Sequence, residues 1–551
     1  MKSIYRPLSV VLMAVFLVLL LGFVRNGDLF FQIKKQLTIF SDVYKEVATQ
    51  YVDEVSPETL MKHSIQAMLD SLDPYTVFID EGEQQQMEIL SSGSYGGIGI
   101  DADFSGNQIV IIAPLEGYPA QRAGLKPGDI IESINGVSTA GATPEEVHQL
   151  TIGDIGTTLE LTVRRPGLEQ SLNFELERER IEVKNITYSG RTGNNGEYGY
   201  IQLARFGQRT GEEMRSELLK LRDDRNLQGI ILDLRNNPGG LLNEAVEVVD
   251  KFIEPGVTVV ETRGRFEMQN NAFIADEPAL FEDLPVVVLM NNGSASASEV
   301  VAGALQDLDR AVVIGENSFG KGLVQTVSPL SYNTSLKITV SKYYTPSGRS
   351  IQSVDYTSQD HENISTVPDS LRRQFLTKNG RNVFDGNGIE PDIFHRGDDS
   401  SLLQVALLKN NEFFQFINQE LAANETGEPE NRDLPDRIFE QFVRYLLDNR
   451  FDYETPVNKH LEALRSNIKN FSNSNSAEKN LDELQALLRD HKISQIYENQ
   501  EFIEKNLHLE WISQTKGLQE RYEAMLEFDE QVQHAVELLG DSVQYHNILV
   551  P

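Results

Sequence analysis

Residues 286–308 constrain the fold most, because they read in one pass as a buried strand, a tight turn and a helix. Residues 286–290, Val-Val-Val-Leu-Met, form the continuous apolar run of a strand covered on both faces. The turn, residues 291–299, is Asn-Asn-Gly-Ser-Ala-Ser-Ala-Ser-Glu, and apolar residues then recur at helical spacing. An α/β sheet places its reactive groups at such strand ends, beside the amides of a helix. We therefore expect a serine of this turn to be a nucleophile.

The flanking chain repeats this pattern from residue 199 to residue 314. The buried strand at 230–234 is followed by Arg-Asn-Asn-Pro-Gly-Gly at 235–240 and then by an amphipathic helix. Strands and helices that alternate in this way predict an α/β core with parallel strands. Two glycine-bearing loops at strand ends can meet in such a core.

The composition argues against several kinds of partner and catalytic site. The net charge of −34, from 83 acidic and 49 basic residues, argues against nucleic acid as a partner, since its phosphates would be repelled. There are no cysteines, which excludes thiolate catalysis and zinc–sulfur sites. The nine histidines have no metal-binding spacing, so we expect no metal and no cofactor. A Ser-His-Asp triad also lacks an obvious histidine.

A lysine can replace histidine as the base when its amine is neutral, a form that burial away from carboxylates favours. Lys321 lies between Gly320 and Gly322, with Phe319 and Leu323 outside them. Such a setting suits a desolvated amine. Gln325, four positions on, can hydrogen-bond that amine without charging it. We expect Lys321 to be the base and Gln325 its helper.

The amino terminus predicts export. Two basic residues precede residues 7–24, which carry no charge and are rich in Val, Leu and Phe. This is either the apolar region of a signal peptide or a membrane anchor. Its length and the lack of an Ala-x-Ala exit favour an uncleaved anchor in the inner membrane, with the body periplasmic or otherwise extracytoplasmic.

Short strands and turns dominate from residue 93. Gly97-Ile98-Gly99-Ile100, then Ala123-Gly124-Leu125 and then the hairpin signal Asn135-Gly136 follow one another. This stretch resembles a PDZ domain. The resemblance implies that the amides of Gly97, Ile98, Gly99 and Ile100 hold a peptide carboxylate beside a groove helix near Val147 and Leu150. The expected partner is an unfolded or extended protein C-terminal tail.

Four motifs in order resemble those of the carboxyl-terminal processing peptidases, or tail-specific proteases. They are residues 292–299, residues 320–322 with Gln325, residues 344–352 and residues 388–392, and the resemblance covers about residues 40 to 400. It implies a crotonase-like α/β protease core with an inserted PDZ domain and a Ser-Lys dyad. The family nucleophile stands 25 positions before its lysine, which selects Ser296 for Lys321. The implied oxyanion hole is the amide of Ala297 with that of Gly239 or Gly240.

The predicted organisation is thus a serine endopeptidase with helical amino- and carboxyl-terminal regions. The predicted segments are the export segment 1–25, a helical cap or dimerisation region 38–92, the PDZ domain 93–168, the protease core 169–400 with a polar surface insertion 353–387, and a helical domain 401–551. The amphipathic helices before the PDZ domain would cover the core or form a homodimer. Those after residue 400 would pack on the core, a partner subunit or an adaptor protein. The alternative function is a catalytically silent PDZ adaptor that binds protein tails.

Overall fold

The computed structural model describes residues 29–84, 93–105, 108–223, 226–354, 356, 367–397, 400–423, 434–468 and 474–550. The predicted export segment 1–25, with its apolar stretch 7–24, lies outside these ranges. Within them, no helix is both long enough and apolar enough to cross a membrane.

Helices dominate both ends of the described chain, and most strands lie between residues 94 and 394. The helices are α1 29–50, α2 Pro57–Asp70, α3 Pro119–Arg122, α4 Pro144–Thr151, α5 Thr210–Asp223, α6 Leu242–Asp250, α7 Ala297–Asp307, α8 Leu402–Lys409, α9 Glu412–Ala423, α10 Ile438–Asp448, α11 Pro456–Ile468, α12 Ser474–Glu498, α13 Gln500–Thr515, α14 Leu518–Glu527, α15 Glu530–Gly540 and α16 Ser542–Leu549. The strands are β1 Val77–Ile79, β2 Ser94–Gly97, β3 Ile100–Ser105, β4 Gln108–Pro114, β5 Ile130–Ile134, β6 Val137–Ser138, β7 Thr158–Arg164, β8 Leu172–Glu177, β9 Glu179–Glu182, β10 Ile186–Thr192, β11 Tyr198–Leu203, β12 Gly229–Asp233, β13 Thr258–Gly264, β14 Asn271–Ile274, β15 Val286–Met290, β16 Val312–Gly315, β17 Leu323–Pro329, β18 Ser335–Tyr344, β19 Gln374–Leu376, β20 Asn382–Phe384 and β21 Ile393–Phe394.

The chain forms two compact units, and the described part of the first is residues 29–84, 325–339 and 356. Its helix α2 starts at Ser56, whose hydroxyl accepts from Thr59 N, with a proline in the first turn. Strand β1 pairs antiparallel with residues 335–337 of β18. The apolar side chains of α1 are exposed, among them Phe30, which is 70% exposed, and Phe31, which is 67% exposed.

The second unit contains the predicted PDZ domain. Its antiparallel sheet has the order β3-β4-β5-β7-β8, with β6 paired to β5, so β3 is an edge strand. Helix α4 starts with a capping box, in which Thr143 and Glu146 satisfy each other's backbone amides. Its apolar side packs on the sheet to form the core of this domain. The predicted domain type is confirmed.

The predicted α/β core is confirmed as well. One sheet has the order β10-β11-β12-β15-β16-β21, and all its pairs except β10 with β11 are parallel. Successive side chains of β12 and β15 point to opposite faces, and both faces are buried. The continuous apolar runs are therefore explained by two cores, one on each side of the sheet.

The last helices of the chain cover one of these faces. Side chains of α15 and α16 pack against Tyr200, Ile231 and Leu289 from the sheet. The Tyr545 hydroxyl of α16 accepts a hydrogen bond from Val286 N and donates one to Val286 O, at 3.0 and 2.9 Å. Helices α8, α9, α10, α12 and α13 contribute to a separate hydrophobic cluster. The carboxyl-terminal region thus includes helices that belong to the core of the α/β domain.

The polar segment 353–387 contains more structure than its composition indicates. Strands β19 and β20 form an antiparallel hairpin within it. Arg381 from this hairpin is buried between Asp309 and Asp392, with which it forms ion pairs. The described part of the segment is therefore tied to the core.

Candidate active site

The three serines of the turn at 291–299 have different surroundings. The Ser294 hydroxyl donates to Leu234 O at 2.8 Å, and the Ser298 hydroxyl donates to Asn237 O at 2.9 Å. Both side chains are buried, with exposures of 1% and 0%. Ser296 is half-buried and stands directly before α7. Its side chain is the one of the three that a substrate can reach.

The backbone of Ser296 is strained. Its φ of 54° and ψ of −112° lie in a region that side-chain-bearing residues rarely adopt and that costs about 1–3 kcal/mol. Such strain is typical of a nucleophile presented on a sharp strand-to-helix turn. The neighbouring residue is held by the bond from Ala295 N to Asn237 O, and the Tyr343 hydroxyl lies 3.0 Å from Ser296 O.

A buried carboxylate joins this turn to the loop of Lys321. Glu299 is fully buried, and its Oε2 accepts from Ser296 N at 2.7 Å and from Lys321 N at 2.9 Å. Its Oε1 accepts from Gly320 N at 2.7 Å and from the Ser318 hydroxyl at 2.6 Å. Burial raises the pKa of Glu299 to about 6, while these four hydrogen bonds favour its ionised form. At neutral pH it is a carboxylate whose two oxygens accept from four donors.

These contacts place Ser296 and Lys321 side by side. Two nitrogens bound to one oxygen lie no further apart than the sum of the two bond lengths, about 5.6 Å. The Tyr343 hydroxyl also lies 2.6 Å from Lys321 O, so one phenol contacts the carbonyl oxygens of both residues. Two separate groups therefore fix the relative position of the two backbones.

The other predicted motifs surround the Lys321 loop. Gly320 has a φ of 87°, and a Cβ there would lie 2.3 Å from the Ser353 hydroxyl. Gly322 N donates to the Gln352 side chain at 2.8 Å, and Ile389 N donates to the Ser318 hydroxyl at 2.7 Å. The four motifs that are spread over the sequence thus converge around the Lys321 loop.

The expectation of an apolar setting for Lys321 is only partly met. Leu323 is 7% exposed, but Phe319 is 52% exposed and so does not shield the lysine. The Glu299 carboxylate also binds the Lys321 amide. The surroundings are more polar than the flanking residues indicated.

Gln325, the predicted helper, lies on β17 in the first unit. Its side-chain nitrogen donates to the Thr339 hydroxyl at 3.2 Å. That hydroxyl donates in turn to Asp73 Oδ1, also at 3.2 Å. Because the Asp73 carboxylate can only accept, this chain orients the amide of Gln325 with its nitrogen toward Thr339 and its oxygen away.

Gly239 and Gly240, in the loop at 235–240, differ in whether their backbone N–H groups already donate a hydrogen bond. A Cβ on Gly239 would lie 2.6 Å from Ala295 O and 2.8 Å from Ser296 Cβ, so this loop touches the nucleophile turn. Gly239 N donates to Asn237 Oδ1 at 2.9 Å and is therefore engaged. Gly240 N makes no such hydrogen bond within the described part of the chain. Ala297 N has no partner inside its helix, because it is the first helical residue.

Asp233 and Arg235 form an ion pair at the end of β12. Arg235 Nε donates to both carboxylate oxygens of Asp233 at 3.0 Å, and Tyr200 donates to Asp233 Oδ2 at 2.6 Å. Arg235 also binds Asp529, a residue at the start of α15. This second partner, like the bridging role of Tyr343, comes from far along the chain and has no local signature in the sequence.

In the PDZ domain, the predicted groove residues separate into two sets. Ile98 and Val147 are buried in the domain core, with exposures of 1% and 5%. Ile100 and Leu150 are half-buried and pack against that core. A Cβ on Gly99 would meet the Tyr118 side chain at 2.4 Å, and its φ is 73°. The loop therefore requires glycine, and Ile100 and Leu150 are the apolar side chains open to a ligand.

Comparisons with known proteins identify the domains of this chain. Residues 197–360 match peptidase family S41, and residues 110–165 match the PDZ domain family. Residues 403–539 match the C-terminal helical domain of probable PDZ-proteases, and residues 25–83 match the N-terminal domain of the activating protease CtpB. The carboxy-terminal-processing protease of Bartonella bacilliformis is 40% identical over 327 residues, which cover 59% of this chain and 74% of that protein.

The chain belongs to peptidase family S41, the carboxy-terminal-processing proteases. A probable CtpA-like serine protease of Staphylococcus aureus is 35% identical over 61% of this chain and 67% of its own length. The solved photosystem II D1 C-terminal processing protease is 26% identical, covers 65% of this chain and 92% of its own chain, and has a TM-score of 0.34. The predicted family and the predicted serine-type peptidase are confirmed. This family member carries a PDZ domain and helical regions at both ends.

Proposed function

We propose that this S41 peptidase is an exported endopeptidase that recognises protein C-terminal tails through its PDZ domain and cleaves them with a Ser296–Lys321 dyad. The observation that supports the dyad most strongly is the shared contact of both residues with Glu299. One carboxylate oxygen binds both backbone amides, which keeps the two side chains on adjacent loops.

The proposed reaction is acyl transfer. The Ser296 hydroxyl attacks the scissile carbonyl while its proton passes to the neutral amine of Lys321. The lysine then gives that proton to the leaving amine, and the amide bond breaks to leave an acyl-enzyme. A water molecule, deprotonated by the same lysine, hydrolyses the ester and restores Ser296.

The oxyanion would be held by backbone amides. We favour Ala297 N and Gly240 N over Gly239 N, because the last already donates to Asn237. Ala297 begins α7, so its N–H adds the positive end of the helix dipole to the site. Gly240 has a φ of 151°, and a Cβ there would lie 2.2 Å from Phe206 O. Only glycine fits that position.

Gln325 would hydrogen-bond the Lys321 amine through its side-chain oxygen. The Thr339 contact supports this role, because it turns that oxygen away from Thr339 and leaves it able to accept. A carboxylate at residue 325 would instead favour the charged ammonium.

The PDZ domain would hold the substrate tail. Strand β3 is an edge strand and can accept an added peptide strand, while the glycine loop 97–100 holds the terminal carboxylate. The half-buried side chains of Ile100 and Leu150 are the proposed apolar contacts. Leu150→Asp should raise KM for a tail peptide while leaving the intrinsic reactivity of Ser296 unchanged.

Export and assembly complete the proposal. Residues 7–24 would anchor the protein in the inner membrane with its body in the periplasm, which cell fractionation tests directly. The exposed apolar side of α1 suits a homodimer, and the helices after residue 400 suit an adaptor protein.

The dyad is tested by turnover of an unstructured tail peptide. Ser296→Ala and Lys321→Ala should each remove hydrolysis, whereas Lys342→Ala, which removes an exposed lysine on β18, should retain it. Wild-type turnover in either dyad variant would rule out this mechanism. The rival function is a silent PDZ adaptor. It predicts tail binding without hydrolysis in the wild-type protein.

A further inference from the structure

Arg235 links loop 236–240, which carries the proposed oxyanion amide of Gly240, to the carboxyl-terminal helices. It lies two residues after the end of β12 and immediately precedes loop 236–240. Its guanidinium lies between two carboxylates, Asp233 and Asp529, and is 16% exposed. Nη1 donates to Asp529 Oδ1 at 3.1 Å, and Nη2 donates to Asp529 Oδ2 at 2.8 Å. This is the bidentate geometry that fixes a guanidinium plane most firmly.

Asp529 is fixed by its own helix. Its carboxylate accepts from Gln531 N and Val532 N, both at 3.1 Å, and so caps α15. Val532 is fully buried against the parallel sheet. Burial alone would raise the pKa of Asp529, but the charge of Arg235 and these hydrogen bonds outweigh it and lower that pKa. Asp529 is therefore an ionised group held on a rigid helix.

The loop that follows Arg235 contacts both sides of the nucleophile. Asn237 O accepts from Ala295 N at 3.0 Å and from the Ser298 hydroxyl at 2.9 Å. Gly239 lies against Ser296 itself. A shift of Arg235 would therefore reach the nucleophile turn within two to four residues of backbone.

We propose that Asp529 is a positioning residue for the peptidase site: it holds Arg235, and Arg235 holds the loop that carries the oxyanion amide and borders Ser296. The carboxyl-terminal helices, which cover one face of the sheet, then also contribute to turnover. This inference rests on the proposed dyad and oxyanion hole. It assigns a catalytic consequence to a residue more than 200 positions away in the sequence.

The test uses the full chain with two matched substitutions. Asp529→Asn keeps the capping ability, since asparagine is as good an N-cap as aspartate, but removes the charge that faces Arg235. Asp541→Asn makes the same change at the cap of α16, where the carboxylate accepts from Val543 N and Gln544 N. Both proteins are compared by kcat and KM on a tail peptide, by the rate at which a fluorophosphonate labels Ser296, and by melting temperature.

Asp529→Asn should lower kcat and the labelling rate about tenfold or more, because a small misplacement of a catalytic element has effects of this size. KM should stay within about twofold, since the PDZ groove is untouched. Asp541→Asn should match the wild type in kcat, and all rates are compared at a temperature at which the melting curves show every variant to be folded. An unchanged kcat in Asp529→Asn, or an equal fall in both variants, would overturn the inference.

Adding Ser296→Ala to this experiment as a third variant separates the inference from the proposed function. If Ser296→Ala still hydrolyses the peptide, the dyad is wrong and the inference falls with it. If Ser296→Ala is inactive while Asp529→Asn turns over like the wild type, only the role of Asp529 is wrong.

Discussion

Replacement of Glu299 by glutamine tests the connection between the two catalytic loops. The carboxylate accepts from four donors, two at each oxygen. Glutamine keeps the shape but turns one acceptor oxygen into a donor NH2. In its better orientation the NH2 faces the Ser318 hydroxyl, which can rotate and accept. Gly320 N then loses its acceptor, next to Lys321.

Two energies oppose each other in this variant. A buried N–H without an acceptor costs about 1–3 kcal/mol. Against this, the pKa of Glu299 is raised from 4.5 to about 6, so its ionisation in the folded protein costs about 2 kcal/mol at neutral pH. Glutamine avoids that cost. We therefore expect the free energy of unfolding at pH 8 to change by only about 1 kcal/mol in either direction.

The activity should change much more than the stability. Release of Gly320 N loosens the loop of Lys321, and misplacement of a catalytic group lowers kcat by about 10- to 100-fold. Glu244→Gln is the control, because that carboxylate also accepts from two backbone amides, Arg209 N and Gly211 N, but lies outside the site. Its kcat should equal that of the wild type. Wild-type kcat in Glu299→Gln, or loss of folding, would refute this reasoning.

The same carboxylate predicts a pH effect of defined sign. Its pKa is higher in the folded protein than its ordinary value, so the folded state binds the proton more tightly. The resulting stabilisation is complete below about pH 4.5 and is lost as the pH rises through 6. Protonation turns one carboxylate oxygen of Glu299 into a hydrogen-bond donor, so the four groups that donate to Glu299 are no longer all satisfied. Activity should therefore fall below pH 6. The part of the fall in activity that follows the titration of Glu299 near pH 6 should be absent in Glu299→Gln.

Three further predictions concern single side chains. Gly320→Ala should abolish turnover in a folded protein, because the added Cβ would lie 2.3 Å from the Ser353 hydroxyl at a φ of 87°; turnover near that of the wild type would contradict this. Ser298→Ala should lower the free energy of unfolding by about 0.5–1.5 kcal/mol and keep turnover, and loss of turnover at full stability would argue that the wrong serine has been assigned. Arg349→Met should destabilise the protein by about 3–5 kcal/mol in chemical denaturation, because it leaves buried Asp307 unpaired, and a loss below about 1 kcal/mol would refute the importance of that pair.

The elements that local sequence determines were predicted well. The apolar runs of β12 and β15 indicate strands buried on both faces, and the glycine pattern at 97–100 indicates the loop of a PDZ domain. The family motifs around Lys321 and Ser296 also indicated the peptidase. Each of these signals lies within a few consecutive residues, where periodicity and turn chemistry are readable.

The connections between distant segments could not be predicted. Glu299 reads as an ordinary acidic residue in the first turn of a helix, yet it is buried and joins two loops. Tyr343 and Asp529 reach the site from strands and helices far along the chain. Such contacts depend on tertiary packing, which leaves no periodic pattern at either partner. The surroundings of Lys321 were misjudged for the same reason, since Phe319 is apolar but points outward.

The most direct test of the Ser-Lys mechanism is identification of the residue that forms the acyl-enzyme. The wild-type protein is treated with a fluorophosphonate, digested and analysed by mass spectrometry, beside Ser296→Ala and Lys321→Ala. The mechanism predicts a single adduct on Ser296 in the wild type, none in Ser296→Ala, and much slower labelling in Lys321→Ala. An adduct on Ser294 or Ser298, or labelling of Ser296 at an undiminished rate without Lys321, would contradict it.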